Sequence, residues 1–202
     1  MTSRFLTAGA TAVAFAALAL VAPIDRLAAQ QDQQLQTVPT QTPSSPSSVP
    51  PADLDFVLKA AMGGMEEVAL ADLAQQKASN EEVKRLAALI AQEHTQANQD
   101  LMRVASEKGI PVPNSTSQAA QTVAAAMSEL SGRDFDMQYL LQQHAAHLAA
   151  VQLFQNAAKH AMDPQVRGFA ETYAPKIQAH AAQIDQVSLK MMGKPGTATS
   201  SQ

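Results

Sequence analysis

The 202-residue chain contains no cysteine and no tryptophan, and aromatic residues make up only 4% of it. Without cysteine there is no disulfide framework, no thiolate chemistry and no cysteine-linked lipid. The shortage of aromatics, beside abundant alanine and glutamine, suits close-packed helices better than a sheet. Charge is also sparse, at 16% of residues with a formal net charge of −4. No basic patch therefore calls for nucleic acid or an anionic membrane surface. No glycine-rich phosphate loop is present, and no serine stands in a recognisable nucleophile setting.

One long apolar run is present, at the start. Arg4 precedes an apolar stretch from Phe5 to Val21, and Leu27-Ala28-Ala29 offers a small-residue cleavage site before Gln30. Residues 1–29 read as an export signal. About 17 alanine-rich residues would make only a marginal membrane span. Losing Arg4, Asp25 and Arg26 with the signal leaves the remainder one unit more negative. No transmembrane helix is expected after signal removal. The expected destination is the periplasm of a bacterium or the exterior, with peripheral outer-membrane association as the alternative. Residues 30–52 are rich in Gln, Ser, Thr and Pro, including Pro39, Pro43, Pro46, Pro50 and Pro51. They bury too little apolar surface to offset ordering entropy and read as a disordered linker.

The pattern from 53 to 192 predicts an all-α domain, followed by a flexible tail at 193–202. Asp53 is a candidate cap for a first helix over 53–78. That helix carries two apolar faces, one through Leu54, Val57, Leu58, Ala61, Met65, Val68 and Ala69. The other runs through Phe56, Ala60, Gly63, Glu67, Leu70 and Ala74. The first face leaves Glu67 in solvent and the second buries it; periodicity does not choose. Gly63 and Gly64 fit a close helix approach, with a local bend near a site as the alternative. Ser79 or Asn80 caps a second helix that ends near Lys108 at Gly109. A short helix over 119–130 follows a polar loop. A third long helix starts near Asp134 and ends at His160 or Met162. Asp163-Pro164 starts the fourth, which runs to Met192 with Pro175 expected to bend it. The result is an antiparallel four-helix bundle of two hairpins joined by a crossover containing the short helix.

Three histidines lie at the centre of apolar stripes. His94 belongs to Val83, Ala87, Ile90, His94, Ala97, Leu101 and Val104. His147 belongs to Leu140, His144, His147, Val151, Phe154 and Ala158. His180 belongs to Val166, Ala170, Tyr173, Ile177, His180, Ile184, Val187 and Met191. Side chains at this spacing share one helix face. Glu67 precedes the first turn at Ser79 by 12 residues, and His94 follows it by 15. His147 precedes Asp163 by 16, and His180 follows it by 17. At about 1.5 Å per residue, all four fall near one central layer. Three imidazoles and a carboxylate suit a transition-metal ion such as zinc, iron, copper or nickel. With Glu67 outside the shell, a position stays open for water. The alternative is a buried polar network that fixes helix register and binds nothing. His144 is a candidate fourth nitrogen ligand, Tyr139 and Tyr173 are candidate outer donors, and His160 reads as a surface residue.

From Asp53 to about Met192 the chain resembles a bacterial exported ferritin-like domain family of unknown function, whose members are often labelled predicted outer membrane proteins. The resemblance rests on Phe56, Met65-Glu66-Glu67-Val68, Ala78-Ser79 and Glu93-His94-Thr95-Gln96-Ala97-Asn98. It continues through Phe135-Asp136, Tyr139, His147, Phe154, Phe169-Ala170, Pro175 and His180. It implies that Glu67 faces inward with His94, His147 and His180, and that His144 is an addition. The wider ferritin-like superfamily implies di-iron oxidation or iron storage. Its paired Glu-x-x-His motifs are absent, because Ala91, His144 and Ile177 stand three residues before His94, His147 and His180. No ferroxidase or other enzymatic activity is assigned. The functional expectations are three: a metal-binding exported domain, a non-enzymatic interaction domain with an envelope partner, and a hydrolase or oxidase that would need a solvent path to the histidines and an open coordination position.

Overall fold

Proline opens the first helix. Pro51 sits in the first turn of α1 (Pro51–Lys77), where its missing N–H leaves no hydrogen bond unmade. The computed structural model describes residues 49–193, so the expected export signal, most of the linker and the tail beyond Gly193 lie outside the described residues. Within them the chain forms α1, α2 (Glu81–Glu107), α3 (Gln118–Ser128), α4 (Gly132–His160) and α5 (Pro164–Met192), with no strand.

The helix boundaries depart from expectation where side chains serve other turns. α1 starts two residues before Asp53, and no side chain caps it. Asp53 is instead buried in the first turn. It accepts the backbone N–H groups of Met162 at 3.3 Å and Asp163 at 2.7 Å, in the link between α4 and α5. Val49, expected in the linker, is buried in the core. Asn80 caps α2 by accepting from Glu82 and Val83. Ser79 gives its backbone N–H and hydroxyl to buried Asp136 at the start of α4. Gly109 and Gly132 take positive φ of 63° and 58°, which lets the chain leave α2 and enter α4. Asp163 caps α5 as expected, and that helix runs unbroken through Pro175.

Three-residue links join α1 to α2 and α4 to α5, and these two pairs pack most extensively; α1 also meets α4, and α2 meets α5. On α1 both faces supply the core, Val57 and Ala61 from one and Phe56, Ala60 and Ala74 from the other; Glu67 is buried with the second, and Ala69 of the first is exposed. Gly64 permits the close α1–α2 approach, since a Cβ there would collide with the Asn98 carboxamide; a Cβ on Gly63 would meet open space. The apolar core divides in two. One cluster holds Phe56, Leu101, Phe154, Phe169 and Tyr173. The other holds Ile90, Phe135, Tyr139, Leu140 and Ile184. On α1, α2, α4 and α5, the residues between these clusters include buried Glu67, His94, His147 and His180. A polar layer therefore separates the two halves of the core.

Candidate metal centre

α2, α4 and α5 each contribute one buried imidazole to this layer. The ring centroids of His94, His147 and His180 are 5.6, 5.4 and 5.5 Å apart, almost an equilateral triangle. One ligand nitrogen from each ring lies within 4.8 Å of the others. Among the described residues, the buried ring nitrogens without a hydrogen-bond partner are His94 Nε2, His147 Nε2 and His180 Nδ1.

Two of these nitrogens have their state set by the opposite side of the ring. His147 Nδ1–H donates to the Gln143 carbonyl at 3.0 Å. A carbonyl only accepts, so the proton sits on Nδ1 and Nε2 keeps its lone pair. His180 Nε2–H donates to Glu93 Oε2 at 2.9 Å, which frees the Nδ1 lone pair. Burial favours the neutral rings. Desolvation, then the neighbouring His147 and His180, lowers His94 to about 3. Desolvation and His180 lower His147 to about 4. Desolvation lowers His180 too, against the opposing pull of Glu93. Neutral imidazoles are the form that ligates a metal, and outer hydrogen bonds such as those of His147 and His180 orient the ring.

Glu67 faces inward but stands apart from the tight nitrogen group, which among the described residues holds only the three histidines. Its Oε2 is buried without a partner. Desolvation pushes its pKa up to about 7; nearby Gln143 opposes the shift and Glu66 adds to it. The Gln143 carboxamide acts on Glu67 electrostatically, yet neither of its polar atoms reaches hydrogen-bond geometry. The Tyr139 hydroxyl is likewise buried and unpartnered. Desolvation raises its pKa well above the usual phenol range, and the charge of Glu67 adds to this.

The other candidates fall elsewhere. His144 turns away from the layer and pairs with Asp185 at 2.7 Å, with both side chains about half exposed. It is not a fourth nitrogen in this group. Tyr173 packs in the Phe169 cluster, and its hydroxyl bonds Asp100. His160 is exposed. Gln143 and Glu93 escaped the sequence reading. Gln143 lies midway between Tyr139 and His147 at successive steps of four, a spacing that marked it as inward.

The family model described as "Domain of unknown function (DUF4142)" matches residues 25–187. The chain belongs to this family. Among solved structures, a DUF305 fragment from Deinococcus radiodurans superposes with a TM-score of 0.62 at 17% identity, covering 70% of this chain and 98% of the fragment. A secreted DUF305 protein from Streptomyces coelicolor gives 0.61 at 16% identity, covering 72% and 95%. At these identities the likeness is one of fold. No curated protein matches the chain. The expectation of a family of unknown function is met; neither the family description nor the names of the two structures carries a ferritin-like or outer-membrane label.

Proposed function

We propose that this DUF4142 protein is an exported four-helix bundle of ferritin-like arrangement that binds one transition-metal ion through His94, His147 and His180. Glu67 stands beside the open coordination position. The observation that carries this reading is the set of three buried imidazoles, each with an unpartnered ring nitrogen and each offering a ring nitrogen within 4.8 Å of the others. A purely structural polar cluster would pair them. His147 Nε2 and His180 Nδ1 are both acceptors, and two acceptors cannot bond to each other. Each buried polar atom left unsatisfied costs about 1–3 kcal/mol, so a Lewis acid that takes all three lone pairs removes the conflict. Tetrahedral nitrogens bound at about 2.0–2.1 Å lie about 3.4 Å apart, a spacing inside the 4.8 Å within which the three ring nitrogens fall.

Three neutral imidazoles and a water suit zinc, copper, nickel or iron, with affinity among divalent ions peaking at copper. Export is supported by the signal pattern at residues 1–29. No helix among the described residues is long and apolar enough to cross a membrane. The envelope is accordingly the proposed site of action, and any protein partner would be met there.

The test is titration of metal-free protein, purified without a polyhistidine tag, with zinc, copper, nickel and iron. The expected result is one ion per chain, with binding lost in His94→Ala and His180→Ala. A folded protein that binds none of the four overturns the reading.

A further inference from the structure

A cavity of about 350 Å³ adjoins the histidine layer, with all four long helices contributing to its walls. Small side chains create it. Gly63 faces open space, and Ala97, Ala146, Ala149 and Ala150 line it where larger residues would fill it. Leu101, Leu153, Phe154 and Ile177 make the rest of the wall mainly apolar. At the other end stand His94, His180 and Glu67, each more than nine-tenths buried and each carrying an unpartnered polar atom. Exposed Lys59 on α1 and exposed Ala146 and Ala149 on α4 mark an opening between those helices.

We propose that this cavity binds a small amphiphile, its carboxylate head on the metal ion at His94 and His180 and its apolar tail along Leu101, Leu153 and Phe154. The proposal rests on the metal centre proposed above and names the ligand of that same site. A long apolar wall ending in convergent polar atoms matches a molecule with one polar end. The head is anionic because a divalent ion held by neutral imidazoles brings its full charge into a buried site. Lys176 adds positive charge to the lining, over the Tyr173 ring at 5.6 Å, while Lys59 is paired with Asp55. The two further carboxylates in the lining are engaged, Glu66 with Ser117 and Glu93 with His180. Allowing about 30 Å³ per heavy atom, the share of one liquid water, the cavity holds roughly a dozen such atoms. An eight-carbon carboxylate fits that volume.

Zinc is first titrated into metal-free full-length protein by calorimetry. Octanoate, acetate and 1-octanol are then titrated separately into zinc-loaded and metal-free protein. Octanoate is expected to bind zinc-loaded protein one to one, at least tenfold tighter than acetate, 1-octanol or octanoate on metal-free protein. Ala150→Phe, which fills the cavity, is expected to weaken octanoate at least tenfold and keep zinc stoichiometry; Ala97→Leu serves if that variant does not fold. Zinc binding without octanoate binding overturns this proposal alone. Equal binding of acetate overturns the tail contact, equal binding of 1-octanol overturns the anionic head, and equal binding to metal-free protein overturns the metal contact. Where zinc does not bind and copper, nickel or iron does, that ion replaces zinc in these titrations; binding of none of the four overturns the centre and, with it, this ligand.

Discussion

Glu93 Oε2 accepts the Nε2–H of His180 at 2.9 Å, so the residue next to His94 in sequence decides which nitrogen a different helix offers to the layer. Removing such an outer partner of a metal-binding histidine lowers metal affinity about 10–100-fold. Glu93→Ala is therefore expected to weaken zinc binding by that factor while the protein stays folded. Competition against a chromophoric chelator measures it. Asp185→Ala, which removes the partner of exposed His144, is the control and should leave the affinity unchanged. An unaltered affinity in Glu93→Ala would remove the orienting role.

Acid should destabilise the metal-free protein. Unfolded histidines take up protons as pH falls through about 6.5, whereas folded His94 and His147 remain neutral down to about 3 and 4. The unfolded state binds more protons in that window, so these two groups lower stability as pH falls, by about 1.4 kcal/mol per unit each. Glu67 acts in the opposite direction. Its folded value of about 7 exceeds the ordinary 4.5, so its contribution declines as pH rises through that interval. Two histidines outweigh one carboxyl. Urea unfolding should therefore show lower stability at pH 5 than at pH 6, and His94→Leu should flatten the slope. A flat profile in the parent protein would contradict the buried neutral rings.

Adjacent glycines should respond in opposite ways to alanine. Gly63→Ala meets open space in a helix and is expected to stabilise by up to about 1 kcal/mol. Gly64→Ala must displace the Asn98 carboxamide and is expected to destabilise by about 1–3 kcal/mol. Denaturant midpoints of the two variants decide the matter, and like signs would refute the packing described.

Asp53 and Asp136 hold opposite links by the same device. Each lies near the start of its helix and accepts backbone N–H groups from the link of the other helix pair. Hydrogen bonds to a charged group contribute about 1.5–3 kcal/mol. Asp136→Ala, which also strands the Ser79 hydroxyl, is expected to cost about 2–3 kcal/mol in urea unfolding. A loss below about 0.5 kcal/mol, the scale of an ordinary surface substitution, would show the contact to be incidental.

The hydrophobic steps made the helices legible. All eight positions read on the His180 stripe are buried, and the Asp163-Pro164 start is where α5 begins. Counting from the turns placed Glu67 and the three histidines between the two apolar clusters, because helical rise converts sequence distance into depth. Direction around the axis was harder. The stripe through His147 took in His144, since a step of three and a step of four are equally helical; burial went to Gln143, whose amide reads as a surface residue. The contacts of Asp53, read as a cap for its own helix, and of Asp136 escaped for a related reason. Their partners are backbone N–H groups about 110 and 57 positions away, and no local pattern records such a contact.

The most direct measurement is anomalous diffraction from crystals of the untagged protein grown with zinc. The account predicts one strong peak inside the helices, about 2.0–2.1 Å from His94 Nε2, His147 Nε2 and His180 Nδ1. No peak there with zinc or in crystals grown with copper, nickel or iron, or peaks confined to surface groups such as His144 and Asp185, would contradict it.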